Sequence, residues 1–220
     1  MKKVILFGTG ELADVVRFYL KHDSSYEVVA HTADREYIKE SIVDGLPLVA
    51  FDEVEKHFSP KDHGMFIALS YKKVNKLRAE KYELAKKKGY ELISYVSSKA
   101  TVWPDLKIGD NVFIFENNVI QPYARIGNDV ILWSGNHIGH HAVIGDHCFL
   151  ASHIVVSGGV IIEPYCFIGV NATLRDHITV RRECVIGAGS LLLKDTKEKE
   201  VYACRSTELF PKTSDQLRGI

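Results

Sequence analysis

Four histidines fall within the thirteen residues of GNHIGHHAVIGDH: His137, His140, His141 and His147. Imidazole at that density supports two chemistries. A single neutral ring, with an ordinary pKa of about 6.5, can take a proton as a general base. Three rings that converge around an open fourth position can instead hold zinc. A second candidate lies near the N-terminus, where GTGELA follows the apolar run KVILF and opens a helical pattern. Its glycines let backbone approach a phosphate, and the start of a helix favours an anion. The candidate contacts there are Gly8, Gly10 and Glu11. Asp34, after the next apolar run, sits where a carboxylate holds a ribose or a base.

The elements that must position these residues are written in a six-residue period. From Val96 to Leu192, every sixth residue is aliphatic, at all seventeen positions. An α-helix needs a period near 3.6, which excludes helix over this stretch; six is a multiple of the strand period. Glycines recur one residue after the aliphatic position, at Gly109, Gly127, Gly139, Gly145, Gly169 and Gly187. Short strands joined by sharp corners, with one inward aliphatic per face, make a parallel β-helix in which residues eighteen apart stack. Each coil rises by about 4.8 Å, the inter-strand spacing. Cys148, Cys166 and Cys184 then form one inward column, core filler rather than a thiolate site. His153 stacks with Gly135 and Asn171, a column suited to turns or substrate contacts.

Before the period starts, KVILF, the helical spacing of ELADVVRFYLKHD and the strand pattern of YEVVAHTAD form a βαβ unit. MFIALS reads as a buried strand, and VNKLRAEKYELAKKKG as a helix closed by Gly89. The organisation expected is an α/β nucleotide-binding domain over residues 1–94, an all-β parallel β-helix over 95–196 and a tail over 197–220. The first domain is about half a dinucleotide fold, large enough for a mononucleotide. With 28 basic and 28 acidic residues the chain carries no formal net charge. That balance speaks against a nucleic-acid surface or a polybasic membrane patch. No apolar run is long enough to cross a bilayer, and the cysteines form no disulfide framework, so a cytoplasmic protein is expected.

A short βαβ nucleotide domain followed by an unbroken hexapeptide β-helix resembles the bacterial sugar-nucleotide N-acetyltransferases grouped with sialic-acid O-acetyltransferases. GTGELA and HIGHHAVIGD are the specific parts of the likeness. The resemblance implies a left-handed β-helix and acetyl transfer from acetyl-CoA to the amine of a 4-amino-4,6-dideoxy sugar linked to UDP, dTDP or GDP. It also implies a place in bacterial surface glycan (lipopolysaccharide) biosynthesis and a homotrimer with active sites between subunits. By the family's pattern His140 is the general base, and the position after it, often acidic in the family, is His141. Backbone acetyl-CoA contacts map onto Gly158, Val170 and Ala188. The family's C-terminal G-x-P-A segment near the adenine is replaced here by VYACRSTELFP.

Two other classes stay open at this point. A zinc hydratase of the γ-carbonic-anhydrase kind uses the same prism and would draw ligands from His137, His141 or His153, but it leaves GTGELA without a task. A non-catalytic nucleotide-sensing scaffold keeps GTGELA but gives no reason for an outward His140. The acetyltransferase uses both, and no metal is expected for it.

Overall fold

The computed structural model describes residues 1–216. In chain order, its first part runs through β1 (Lys2–Phe7), α1 (Glu11–His22), β2 (Tyr26–Ala33), β3 (Ile42–Val43), β4 (Leu46–Ala50), α2 (Val54–His57), β5 (His63–Ile67), α3 (Lys76–Lys87) and β6 (Glu91–Leu92). The strands form one sheet in the order β3-β4-β2-β1-β5-β6, parallel except for the β3–β4 hairpin. Side chains alternate across it as a strand requires. Val4, Leu6 and Phe66 pack with Ala13, Val16 and Leu20 of α1. Ile5, Phe7, Met65 and Ile67 pack with Tyr82 and Ala85 of α3. The chain leaves β1 towards β2 and later returns to put β5 on its other flank. The strand order therefore switches at the C-terminal ends of β1 and β5, where open α/β sheets bind ligands.

From Tyr95 the backbone turns every six residues, and three parallel sheets close a triangular prism. The first face holds seven two-residue strands, from Tyr95–Val96 to Val201–Tyr202; the second holds five, from Val119–Ile120 to Leu191–Leu192; the third holds five, from Lys107–Ile108 to Thr179–Val180. Register couples residues eighteen apart, as in Phe113, Ile131, Phe149 and Phe167. This repeating parallel stack is consistent with the left-handed hexapeptide β-helix. The inward aliphatics from Ile114 to Leu192 are buried, and the three cysteine thiols lie among them. Cys148 beside it and burial push the Cys166 thiol up, which keeps it protonated.

Two places depart from the six-residue count. Val102 belongs to no strand and is 36% exposed, beside exposed Trp103, because the lowest coil has no complete coil beneath it. The tail expected from residue 197 is not all tail. Val201–Tyr202 pairs with Val185–Ile186, sixteen residues earlier, and adds a strand to the first face. The charged run KDTKEKE offers no inward aliphatic, so the hydrophobic period stops while unpaired edge backbone still recruits a strand. Residues 217–220 of the expected tail lie outside the described residues.

The α/β domain sits on the first face. Outward-pointing Phe113, Ile131, Phe149 and Phe167 join the cluster built around α1. A polar clamp reinforces this seat: fully buried Arg78 donates from Nε to Asp129 Oδ1 at 3.0 Å. It also donates to the carbonyls of Asp129 (2.9 Å) and Cys148 (3.1 Å). Asn111 and His147 complete the carboxylate's shell, at 2.7 and 2.8 Å. A buried ion pair this fully hydrogen-bonded fixes geometry more than it adds net stability, and its loss on one side is costly.

Candidate active site

A cleft of about 830 Å3 opens where the sheet's switch point meets the prism. Its domain side is Gly10, Glu11, Leu12 and Val15 at the start of α1, with Ala68, Leu69 and Ser70 just beyond β5. Its prism side is Trp133, Phe149, Phe167, Gly169, Val170 and Ala188. Gly10 is the N-cap of α1 in extended conformation, and no side chain caps the helix. The Gly10 carbonyl accepts from Ala13 (2.8 Å) and Asp14 (3.2 Å). The amides of Glu11 and Leu12 have no intrahelical acceptor and are free for an anion. Two carboxylates in the first turn, Glu11 and Asp14, temper that attraction. Burial, followed by the neighbouring Asp44, pushes the Asp14 carboxyl up from its ordinary value.

The two glycines of GTG differ in why they are glycine. At Gly8, φ is +130°, and a Cβ would meet the Ala68 carbonyl oxygen at 2.8 Å. The fold itself requires glycine there. At Gly10 a Cβ would meet nothing within 4 Å, so packing within the chain does not require glycine there. Asp34 is not among the residues lining the cleft. Its carboxylate is held by Lys81 of α3 at 2.8 Å, on the other side of the sheet.

His140, His141 and Gly158 lie elsewhere, at the corner between the second and third faces. His140 is exposed, and its amide donates to Gln121 Oε1 at 2.9 Å. Its ring rests on the next coil, where a Cβ added to Gly158 would lie 2.6 Å from both Cε1 and Nε2. Gly158, expected as a cofactor contact, lies directly against that imidazole. His141 follows with φ +59°. Its Nδ1 lies 3.1 Å from His140 Nδ1, and its ring packs against Tyr123 with centroids 4.7 Å apart.

One chain therefore brings Gly10, Glu11, Val170 and Ala188 into one cleft and His140, His141 and Gly158 into another corner, without joining the two. Neighbouring corners are six residues apart along the chain, on the order of 20 Å. The remaining histidines are dispersed. His137 is on the second face, and His153 is an exposed turn residue over Gly135 at the corner between the first and second faces. Buried His147 belongs to the Arg78–Asp129 clamp. Among the described residues no group of three or more His, Cys, Asp or Glu is placed to hold a metal ion. Sequence reasoning missed Tyr71, Trp133, Phe149 and Phe167 in and around the cleft. Its available signal was the outward column Tyr95, Phe113, Ile131, Phe149 and Phe167, bulky at every eighteenth position.

Solved structures share this architecture over almost the whole chain. PerB from Caulobacter crescentus, crystallised with CoA and GDP-perosamine, has a TM-score of 0.82 at 24% identity, covering 92% of this chain and 94% of that one. The acetyltransferase domain of PglB from Neisseria gonorrhoeae FA1090, in complex with acetyl coenzyme A, gives 0.81 at 22% identity, covering 92% and 96%. WeeI from Acinetobacter baumannii AYE gives 0.75 at 17% identity, covering 90% and 94%. At these identities the likeness is one of fold. A search among curated proteins found no match. Residues 92–201, half of the chain, match the family described as GMPPB C-terminal domain, and the chain belongs to that family.

Proposed function

We propose that the chain transfers an acetyl group from acetyl-CoA to the amine of a nucleotide-linked 4-amino-4,6-dideoxy sugar. The observation that carries this reading is the cleft, in which an uncapped helix N-terminus at a sheet switch point faces a prism corner. Residues 1–94 hold the sugar nucleotide, its diphosphate on the amides of Glu11 and Leu12 beside Gly10. The β-helix from residue 95 carries the thioester, its amide groups meeting backbone at Val170 and Ala188. The similar structures support the pairing, since PerB was crystallised with CoA and GDP-perosamine and the PglB domain with acetyl coenzyme A.

In this reading the amine attacks the thioester carbonyl, a C–N bond forms, and the C–S bond breaks. His140 Nε2 takes the proton that the amine loses and returns it to the departing CoA thiolate. No covalent intermediate on the protein is needed. Because His140 and the cleft occupy different corners, we place the complete site between two copies, in a homotrimer. Apolar residues exposed on the other two faces, Val119, Val155 and Leu191 on the second and Val143 and Ile161 on the third, support such packing. No helix among the described residues is long and apolar enough to cross a membrane. In this reading the enzyme works in the cytoplasm, where acetyl-CoA is made, and supplies acetylated sugar for surface glycans.

The test is a screen of UDP-, dTDP- and GDP-linked 4-amino sugars with acetyl-CoA, following thiol release and the mass of the product. One pair should release thiol in step with a product heavier by one acetyl group. No release with any of them overturns the reading.

A further inference from the structure

We infer that His31 is a positioning residue for the sugar nucleotide, locking the Gly8–Thr9 peptide with its N–H turned towards the phosphates. The inference rests on the reading of the α1 start as the seat of the diphosphate. His31 lies in β2, paired with Leu6 of β1, and is wholly buried. Its Nδ1 is 2.9 Å from the Gly8 carbonyl oxygen. A carbonyl only accepts, so the ring carries hydrogen on Nδ1. Nε2 is left buried with no hydrogen-bond partner, a costly state for a polar atom. An apolar side chain would avoid that cost but would free the Gly8 oxygen. The reason for histidine lies at Nδ1.

Gly8 is the point where the backbone can turn either way. Its amide is fixed on the Thr32 carbonyl at 2.9 Å, and its φ of +130° is one that glycine adopts readily. Thr9 is exposed, and its amide has no backbone acceptor among the described residues. The peptide between them is trans, so its C=O and N–H point in opposite directions. With the oxygen drawn inwards by His31, the Thr9 N–H points away from the buried ring, one residue before Gly10 of the cleft. It then adds a third donor to the free amides of Glu11 and Leu12. Rotation of this one peptide reverses the effect, because its oxygen would face the phosphates and repel them. Glycine on one side makes that rotation easy, and His31 is the group that holds it back.

Leucine and asparagine are matched in shape at residue 31, but only asparagine carries an N–H where Nδ1 stands. Both leave a space beside β2, so lost stability is common to the pair and does not separate them. With acetyl-CoA and the acceptor sugar found in the screen, H31L should raise KM for the sugar nucleotide about tenfold, with kcat and KM for acetyl-CoA within about twofold. H31N should return the raised KM to within a few-fold of the parent. Calorimetric titration with UDP, dTDP and GDP should rank the chains alike for the diphosphate the parent binds tightest. Should H31L not fold, H31F, which fills the ring's space without a donor, takes its place. A parental KM in H31L, H31N as impaired as H31L, or an equal rise in both KM values overturns the proposal. If the parent neither binds these diphosphates nor acetylates any sugar of the screen, the reading of the cleft fails and this one falls with it; that result is distinct from any pattern among the residue-31 variants.

Discussion

The corner of Val170 and Ala188 and the corner of His140 are made by the same repeat, yet they offer opposite kinds of chemistry. The first is roofed by the α/β domain and presents backbone, aromatic rings and a helix N-terminus. The second has no roof within the chain and presents two imidazoles. Their turns are nearly interchangeable: His141, His153 and Asn171 all have φ between 58° and 59°. The repeat thus supplies a uniform scaffold, and each corner's chemistry comes from the outward residues placed on it. In the proposed function, binding belongs to the first corner and proton transfer to the second, which makes each separately breakable.

The largest expected effect is at the histidine corner. His140→Ala should lower kcat by about 10²–10⁴-fold, the usual worth of a general base, with the thermal transition unchanged because the side chain is exposed. A parental rate at neutral pH removes His140 from the mechanism. Next is the clamp that holds the roof over the cleft corner. Asp129→Ala leaves Arg78 buried without its carboxylate and should cost about 3–5 kcal/mol in denaturant unfolding. A loss below about 1 kcal/mol would mean that the apolar seat alone holds the domains together.

Within the cleft, Gly10→Val should raise KM for the sugar nucleotide about tenfold or more and leave KM for acetyl-CoA nearly unchanged, since a Cβ at this position meets nothing within 4 Å. Gly8→Val should instead lower stability, through its positive φ and the Ala68 carbonyl. Equal effects of Gly10→Val on both substrates would reduce the α/β domain to a cap on the prism. The smallest effect concerns Asp23, where hydrogen bonds from Ser98 and Tyr95 hold the carboxyl at about 2, below its ordinary 3.8. A depressed folded-state pKa gives stability that is present above 3.8 and lost as pH falls towards 2. Asp23→Asn should therefore flatten the stability profile in that window; an unchanged acid limb would show that the bonds do not persist in solution.

Much of this was readable from residue order because a β-helix writes its geometry locally. One inward aliphatic per six residues announces face, corner and coil, and GTGELA after an apolar run announces a switch-point turn. What escaped notice depends on pairing at a distance. Arg78 lies in a stretch with ordinary helical spacing, and nothing near it in sequence points to Asp129, 51 residues away. Val201–Tyr202 joins the sheet through backbone bonds, off the six-residue count, so no side-chain pattern marks it. Gly158 entered through the family's pattern alone; that the imidazole of His140 rests against it depends on the stacking of two coils. Asp34 was placed by strand position alone, and its partner Lys81 comes from a helix 47 residues on.

Subunit complementation tests the two-corner account most directly. Chains carrying His140→Ala and chains carrying Gly10→Val, each deficient alone at low sugar-nucleotide concentration, are mixed, unfolded together and refolded. If each site joins the cleft of one copy to the histidine of another, some mixed assemblies contain an intact Gly10 facing an intact His140. Activity should then rise well above the sum of the two parents. Activity no greater than that sum would contradict the account, because it would mean that each chain completes its own site.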